Sequence, residues 1–308
     1  MGDRDASPEA RRGPPPPRVQ LARAKVNLAL HITGQRADGY HLLDSLVVFP
    51  AIGDVLLAEP ADRLHLTIEG PFGTELKDED PDSNLVLRAV RALAKRLDIA
   101  EPAFHLRLTK RLPVASGIGG GSADAAAALR LMALHIGVDV PEALLADIAA
   151  GLGADVPICL SQSARRMRGI GEELSPLPKL PQLGLVLVNP RQKVATPDVF
   201  KALQTRDNAA LPDLPDDFAE AFSSSGVLLD YLRKARNDLE APAISICPAI
   251  GEVLTTLKAD PRISLARMSG SGATCFALCA TAEVQGLVSD LSRGHPGWWV
   301  AGSPALQA

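Results

Sequence analysis

The sequence predicts an α+β protein of two domains. Its 308 residues suit one large or two ordinary domains. Strand-like and helix-like patterns follow one another without the strict βαβ repetition of a parallel sheet, which favours the α+β class. A glycine turn at 169–172 and a proline-rich connector at 176–181 indicate a boundary in the middle of the chain. We therefore predict domains at 19–170 and 171–308, preceded by a tail at 1–18.

Composition argues against several classes of protein. Aromatic residues make up only 4% of a chain that is 46% hydrophobic, so the cores must be built from Leu, Val, Ile and Ala. A net charge of −4 argues against a broad basic surface for nucleic acid. The four cysteines show no paired metal spacing and are expected to be buried thiols. The tail has four consecutive prolines and no apolar signal region, and no apolar run could span a bilayer, so we expect a disordered tail and a cytoplasmic protein without a membrane partner.

The N-terminal domain begins with a predicted strand at 21–32, in which apolar and polar residues alternate. Its polar face carries Lys25 and Asn27, whose spacing lets both side chains contact one ligand; a solvated face is the alternative. A polar loop at 34–41 follows and contains Tyr40 and His41. These two residues either stack on a flat ligand or simply anchor the loop.

Further strands are predicted at 42–49, 55–58, 64–68 and 104–108. Residues 53–54 are expected to form a turn, and Ser83 to cap a helix that runs to about Leu97. The last of these strands ends at Lys110 and Arg111. Two cations there suit a phosphate site in the next loop, although a solvated pair explains them as well.

The stretch 113–124, Pro-Val-Ala-Ser-Gly-Ile-Gly-Gly-Gly-Ser-Ala-Asp, organises this domain. Four glycines within five residues predict an irregular loop, and Ser122 is expected to cap an alanine-rich helix that ends at Gly137. A glycine loop that opens into a helix gathers unpaired N–H groups and the positive end of the helix dipole, which suits phosphate. The stretch matches neither the Walker A nor the dinucleotide pattern. A glycine turn that only packs tightly is the alternative.

After this helix, Asp139 and Glu142 predict a capping box for a second helix that ends near Gly151. Asp155 then lies at a chain reversal between a glycine and a proline. It is either an Asx-turn or helix cap, or a carboxylate held on a stiff turn and aimed into a site. The local sequence does not choose between these interpretations.

The C-terminal domain mixes strands and helices in the same way. Strands are predicted at 185–188, 263–267, 275–279 and 297–301, and helices at 227–235, 248–258 and 283–292. Thr196 and Pro197 open a further short helix that contains Phe200, and residues 206–226 are predicted to form a polar loop. A second glycine loop at 268–274 carries hydroxyl groups and suits close approach to an anion; a tight hairpin is the alternative.

The chain resembles the galactokinase–homoserine kinase–mevalonate kinase–phosphomevalonate kinase superfamily over residues 20–280. Three motifs of that superfamily match, in the same order, the N-terminal strand and the two glycine loops. More narrowly, it resembles the family of 4-diphosphocytidyl-2-C-methyl-D-erythritol kinases, of the non-mevalonate isoprenoid pathway. The segments that carry the narrower resemblance lie at 24–28, 36–41, 119–126, 153–157 and 269–273. The resemblance implies a ribosomal-protein-like N-terminal ATP domain and a ferredoxin-like α/β-sandwich C-terminal domain.

The resemblance also implies an activity: ATP-dependent phosphorylation of the 2-hydroxyl of 4-diphosphocytidyl-2-C-methyl-D-erythritol, giving the 2-phosphate and ADP. Asp155 matches the aspartate that takes the hydroxyl proton, and Lys25 matches the lysine that orients these groups and stabilises negative charge. ATP is expected as its Mg²⁺ complex, without a direct protein ligand to the metal. Phosphoryl transfer requires mainly positioning and charge stabilisation, which these groups supply.

The same resemblance implies the remaining site residues. Asn27 matches a contact near the reacting end of the substrate, Tyr40 and His41 match the cytosine site, and Phe200 looks like a second aromatic wall. The predicted ATP-binding residues are Asn84, Lys110, Pro113, Val114, Ala115, Ser116, Gly117, Ile118, Gly119, Gly120, Gly121 and Ser122. The predicted substrate-binding residues are Asn27, Tyr40, His41, Thr196, Phe200, Gly270, Ser271 and Gly272. Ala115 and Ser116 stand where related loops often have glycine, so a slightly stiffer loop entrance is expected.

Three other functions stay open at this stage. One is another alcohol kinase of the superfamily, of the homoserine or mevalonate type, which would have no use for a cytosine site. Another is a non-catalytic nucleotide- or metabolite-binding protein, which would not need both Lys25 and Asp155. An RNA-binding role would suit a ribosomal-protein-like fold, but the acidic net charge argues against it. We expect a monomer or weak homodimer that acts on small molecules.

Overall fold

A computed structural model describes residues 17–77, 80–136, 139–214 and 224–307. The described parts contain twelve strands and nine α-helices, which confirms the α+β class. The strands are β1 (Arg18–Arg23), β2 (Val26–Gln35), β3 (His41–Val48), β4 (Gly53–Pro60), β5 (His65–Glu69), β6 (Phe104–Thr109), β7 (Arg165–Gly169), β8 (Glu173–Pro176), β9 (Gly184–Asn189), β10 (Ile263–Met268), β11 (Cys275–Cys279) and β12 (Trp299–Ser303). The helices are α1 (Leu85–Arg96), α2 (Gly120–Ile136), α3 (Glu142–Leu152), α4 (Val156–Ser161), α5 (Thr196–Lys201), α6 (Ser225–Lys234), α7 (Glu240–Ile246), α8 (Ala249–Ala259) and α9 (Val284–Gly294).

The strands form three four-stranded sheets. The first sheet has the order β1-β4-β6-β5, and only its β5–β6 pair is parallel. The second has the order β2-β3-β7-β8 and the third β10-β11-β9-β12, and both are antiparallel throughout. The domain boundary predicted between residues 170 and 171 stays a prediction; the β7–β8 hairpin spans this position.

Three apolar cores hold the sheets and helices together. Helix α2 packs on β1 and β4 of the first sheet, α1 packs on α2, and the core that they share contains Val90, Leu129, Leu56 and Leu106. A second core joins the faces of the second and third sheets through residues such as Leu28. In the third core, α8 and α9 cover the far side of the third sheet. The cleft described below therefore lies among elements that are fixed by packing on both sides.

The predicted strand at 21–32 is broken at residues 24–25, and its two halves belong to different sheets. The Ala24 N–H donates to the Ile52 carbonyl, whereas the Lys25 N–H donates to the Ile118 carbonyl of the glycine loop. The polar face is not solvated either, because Lys25 and Asn27 are both buried. Alternation alone could not reveal this, since it indicates which side chains share a face of the strand but not whether that face is covered.

Several local predictions at element ends are wrong. Residues 53–54 belong to β4 rather than to a turn, because they pair with Arg23 and Ala22 of β1. The buried Asp54 carboxylate accepts hydrogen bonds from the Arg111 and Leu112 N–H groups. Helix α1 is capped by Asn84, not Ser83: the Asn84 Oδ1 accepts from the Val86 N–H at 2.9 Å.

Helix α2 begins at Gly120, so two of the loop glycines are helical and Ser122 is not its cap. The capping box at Asp139 and Glu142 does not form, because Pro141 precedes α3. The predicted stop at Gly137 lies outside the described residues.

The tail and the long polar loop are also shorter than predicted. Strand β1 begins at Arg18, and residues 1–16 lie outside the described part. Helix α6 begins at Ser225, inside the loop predicted at 206–226, of which residues 215–223 are not described. The short helix α7 was not predicted, because a proline near its start hides its period. None of the helices in the described parts has the length and apolar character that a bilayer span requires.

Candidate active site

A cleft of about 1020 Å³ runs past both glycine loops, the β2–β3 connection and the start of α5. Most of the predicted site residues line it, although they come from both halves of the chain. The lining residues among them are Lys25, Asn27, Tyr40, His41, Asn84, Lys110, Val114, Ala115, Ser116, Gly117, Gly119, Gly120, Gly121, Ser122, Asp155, Thr196, Phe200, Gly270 and Ser271. Pro113, Ile118 and Gly272 are not among the lining residues, and Ile118 is fully buried.

Lys25 and Asp155 form an ion pair in this cleft, with 2.6 Å between Nζ and Oδ1. Lys25 follows the end of β1, and Asp155 immediately precedes α4. The Asp155 side chain does not cap that helix. Of the two interpretations of Asp155, the structure therefore favours the carboxylate that is aimed into a site.

The first glycine loop surrounds the Lys25 side chain. Gly119 has a φ of +64°, and a Cβ atom there would lie 3.3 Å from the Lys25 Cβ. Helix α2 follows at once, so the N–H groups of its first turn face the same cleft as the Lys25 ammonium. An anion in front of this turn would meet unpaired donors, the helix dipole and one fixed cation.

The second glycine loop packs directly on the first. A Cβ atom at Gly117, whose φ is +75°, would lie 2.7 Å from backbone atoms of Gly272 and Ser269. The Ser269 Oγ donates to the Gly117 carbonyl at 3.3 Å. Ser271 lines the cleft and lies within hydrogen-bond distance of Thr196, with 2.7 Å between the two hydroxyl oxygens. The second glycine loop thus contacts both the first glycine loop and the start of α5.

Lys110 holds two buried carboxylates that the sequence analysis missed. Its Nζ donates to Asp54 and, at 2.8 Å, to Asp124 of α2. Lys110 also lines the cleft, and its predicted contact with the nucleotide stays a prediction. Asp124 directly follows the Gly-Gly-Gly-Ser-Ala stretch. A carboxylate at this position, next to an apolar helix, was the feature of the sequence that could have indicated a buried charge.

The two carboxylates share Lys110 unequally. Asp54 also accepts two backbone N–H groups, whereas the Asp124 Oδ1 has no hydrogen-bond partner among the described residues. Burial raises the pKa of Asp124 to about 7, with the Asp54 carboxylate acting in the same direction and Lys110 opposing it. Burial also opposes the charge on Lys110, but the Asp124 and Asp54 carboxylates raise its pKa.

At the other end of the cleft lie the three residues predicted for a flat base. The His41 ring stacks on the Phe200 ring with 4.7 Å between centroids and 28° between planes. Tyr40 is 60% exposed at the rim. Burial lowers the pKa of His41, and the Arg206 charge acts in the same direction, so this imidazole is neutral at pH 7. Its Nε2 is buried and has no partner among the described residues.

Asn27 is hydrogen-bonded both to the adjacent strand β3 of its own sheet and to the second glycine loop. Its backbone N–H donates to Ser269 Oγ at 3.0 Å, and its Nδ2 donates to Ser45 Oγ at 2.8 Å. Ser45 is fully buried in β3, and the sequence analysis did not identify it. No local signal marks it, since a serine in a strand is ordinary until its partners are known.

Comparison with known proteins agrees with this site. The chain is a member of the GHMP kinases: the GHMP kinases N terminal domain matches residues 84–163, and the GHMP kinases C terminal domain matches residues 212–293. Both glycine loops lie within these matches. Solved structures show the same fold at lower identity, among them the homoserine kinase of Cytophaga hutchinsonii, which is 18% identical with a TM-score of 0.65 over 92% of this chain and 95% of that one.

Relatives of higher sequence identity belong to one kinase family among the GHMP kinases. The 4-diphosphocytidyl-2-C-methyl-D-erythritol kinase of Cereibacter sphaeroides is 50% identical over 94% of this chain and 98% of its own length. That of Paracoccus denitrificans is also 50% identical, over 93% and 96%. A crystal structure of 4-(cytidine 5'-diphospho)-2C-methyl-D-erythritol kinase is 32% identical, with a TM-score of 0.73 over 94% of this chain and 100% of that one. The chain belongs to the 4-diphosphocytidyl-2-C-methyl-D-erythritol kinase family.

Proposed function

We propose that the chain transfers the γ-phosphoryl group of ATP to the 2-hydroxyl of 4-diphosphocytidyl-2-C-methyl-D-erythritol, giving the 2-phosphate and ADP in the non-mevalonate isoprenoid pathway. The names of relatives at about 50% identity support this substrate. The observation that carries the chemistry is the Lys25–Asp155 pair, 2.6 Å long, beside a glycine loop that opens into α2.

In this proposal, Asp155 accepts a hydrogen bond from the substrate hydroxyl and orients it toward the γ-phosphorus. As the new oxygen–phosphorus bond forms and the bond to the leaving ADP breaks, the hydroxyl proton passes to Asp155. The Asp155 side chain is 41% exposed, so the proton can leave to water. Lys25 holds Asp155 in place. Its ammonium also stabilises the negative charge that develops on the phosphoryl group as it passes from the ADP oxygen to the substrate oxygen.

The ATP phosphates bind along residues 117–122 in this proposal, where the first turn of α2 offers unpaired N–H groups. Bound Mg²⁺ would neutralise charge on the phosphate oxygens. Asp155 and Asp124 offer carboxylate oxygens to the cleft, and the Asp124 Oδ1 has no partner among the described residues. No group of three or more His, Cys, Asp or Glu residues in the described parts could hold a metal ion. We keep the prediction of no direct protein ligand.

The cytosine is proposed to bind at Tyr40, His41 and Phe200. Two aromatic side chains offer faces for stacking, and the neutral His41 has an unpaired Nε2 for a hydrogen bond to the base. Thr196, Gly270 and Ser271 line the cleft between this end and the phosphate loop. They are proposed to contact the middle of the substrate.

We further propose folds for the two domains, a location in the cell and an oligomeric state. A ferredoxin-like C-terminal domain is supported by the third sheet, whose strands lie in the order β10-β11-β9-β12. Numbered 1 to 4 in chain order, β9 to β12 therefore lie side by side as 2-3-1-4. Helices connect β9 to β10 and β11 to β12. The resemblance of the chain to its family supports three further proposals: a ribosomal-protein-like N-terminal domain, a cytoplasmic location, and a monomer or weak homodimer.

An assay of ATP consumption tests the proposal. Purified protein is incubated with MgATP and one of three alcohols: 4-diphosphocytidyl-2-C-methyl-D-erythritol, homoserine or mevalonate. We expect turnover with the first alone, and ³¹P NMR should place the new phosphate on the 2-hydroxyl. Turnover with another alcohol would support the alternative kinase. ATP binding without turnover on any of the three would indicate a non-catalytic protein.

A further inference from the structure

Ser45 lies behind the active site, not in it. It is fully buried in β3, opposite Leu30 of β2. A register shift between Asn27 and Ala29 brings the Ala29 carbonyl within 2.6 Å of the Ser45 hydroxyl, which donates to it. A hydroxyl group has one hydrogen. Because that hydrogen is used on Ala29, the Ser45 oxygen can only accept hydrogen bonds from other groups.

This restriction fixes the orientation of the Asn27 side chain. The amide places one end 2.8 Å from the Ser45 oxygen. That end must be the Nδ2 amino group, because two acceptors at this distance would repel each other. The carbonyl oxygen therefore points the other way. Asn27 lines the cleft, and its Oδ1 is buried without a hydrogen-bond partner among the described residues.

The Asn27 backbone is fixed by a different residue. Its N–H donates to Ser269 Oγ, which in turn donates to the Gly117 carbonyl of the phosphate loop. The main chain at Asn27 is thus tied to both glycine loops, and the side-chain amide is oriented by Ser45. Lys25 stands two positions earlier in the chain. A substrate group that binds Asn27 therefore lies next to the hydroxyl that reacts beside Lys25 and Asp155.

We propose that Ser45 is a positioning residue that makes Asn27 present an obligate hydrogen-bond acceptor, and that this acceptor selects a substrate hydroxyl beside the one that is phosphorylated. The proposal rests on the proposed function. In 4-diphosphocytidyl-2-C-methyl-D-erythritol, free hydroxyls at carbons 1 and 3 flank the 2-hydroxyl. A buried acceptor is unfavourable until a donor reaches it, so a ligand without a hydroxyl at the right position is rejected.

A double-mutant cycle tests whether Ser45 acts through Asn27. We expect Ser45→Ala to lower kcat/KM for the substrate about tenfold, because the amide is then free to turn, while the KM for ATP changes less than twofold. In an Asn27→Ala background, Ser45→Ala should have no further effect on kcat/KM. Ser303→Ala is the matched control, since Ser303 is also a buried serine that donates to a carbonyl, that of Ala305, but lies outside the cleft.

The control should keep parental kcat/KM with a similar loss of thermal stability. Additive effects in the cycle, or a fall in kcat/KM for Ser303→Ala as large as that for Ser45→Ala, would overturn the positioning role.

A second measurement uses the unmodified protein and stays decisive if Ser45→Ala does not fold. Substrate analogues carry hydrogen or fluorine in place of the hydroxyl at carbon 1 or carbon 3. Fluorine accepts but cannot donate, so both analogues at the selected carbon should lose kcat/KM by a similar factor, about tenfold or more. Retention of activity by the fluoro analogue alone would place the amino group in the cleft and overturn the proposal. Full activity of all four analogues would overturn it as well. Lack of turnover with the natural substrate would contradict the proposed function instead, before any variant is compared.

Discussion

Lys25 and Asp155 are 130 positions apart in the sequence, yet their side chains meet at 2.6 Å. The two groups differ in exposure: the Lys25 side chain is 7% exposed, whereas that of Asp155 is 41% exposed. A buried cation thus holds a carboxylate that still faces the open cleft. Substitution of Asp155 leaves the Lys25 ammonium buried without its carboxylate partner, so stability is measured beside activity for each variant of the pair.

Asp155→Asn should remove the proton acceptor and keep the size of the side chain. We expect kcat to fall by about 10²–10⁴-fold, the usual contribution of a positioned base, with a smaller effect on the melting temperature, because an amide oxygen can still accept a hydrogen bond from Lys25. Steady-state kinetics with the natural substrate and thermal unfolding measure the two effects. Near-normal turnover would exclude Asp155 as the base.

Lys25→Ala should reduce turnover strongly and leave ATP binding largely intact, because the N–H groups of α2 remain. Lys25→Met is the matched variant, since it keeps most of the side chain against Gly119. We expect kcat to fall at least a hundredfold in both variants, with the Kd for ATP within about threefold of the parent by calorimetry. A loss of ATP affinity that equals the loss of turnover would place Lys25 on the nucleotide instead.

Tyr40→Ala should act mainly on the KM for the substrate. Stacking on a base contributes roughly 1–3 kcal/mol in single-stranded nucleic-acid complexes, so we expect KM to rise about tenfold while kcat stays within threefold. Tyr40→Phe keeps the ring and should behave like the parent. CDP should compete with the substrate in the parent and less well in Tyr40→Ala. A fall in kcat with unchanged KM would argue against a base site at Tyr40.

Lys110→Met should destabilise the protein, since it leaves Asp54 and Asp124 buried without their shared cation. Breaking a buried ion pair costs about 3–5 kcal/mol in the free energy of unfolding. Lys193→Met is the control, because Lys193 pairs with Glu75 on the surface, where such pairs contribute about 1 kcal/mol or less. Denaturant unfolding of both variants measures the difference. Equal stabilities would mean that the Lys110 network does not hold the start of α2 in place.

The stability of the parent should depend on pH through Asp124. Burial raises its pKa from 3.8 to about 7 in the folded protein, so the folded state holds this proton more tightly than the unfolded chain. The resulting stabilisation is complete below about pH 4 and is lost as the pH rises toward 7. Asp124→Asn removes this titration. The melting temperature of the variant minus that of the parent should therefore grow from pH 4.5 to pH 7 and level off above it. A difference that is constant with pH would contradict the raised pKa.

The sequence by itself determined the class of fold, most strands and helices, and both glycine loops. These features depend on local periodicity and on residue types with narrow roles, and β11 was predicted with its observed bounds, 275–279. A phosphate site at the first glycine loop stays a prediction, which rests on dense glycine followed by an alanine-rich helix. Element ends were less reliable: Asn84, not Ser83, caps α1, since one hydrogen bond decides between two neighbouring polar residues.

Only the tertiary structure decided what the polar residues do. Asp155 has the same local sequence whether it caps a helix or pairs with Lys25, and the choice depends on a contact 130 positions away. The ion pairs of Lys110 with two buried carboxylates likewise appear only when β4 and α2 are packed beside the end of β6. Ser45 became visible only through the register between β2 and β3. Hydrogen bonds and ion pairs are short-ranged and directional, so their partners are fixed by how sheets and helices pack, which local patterns do not encode.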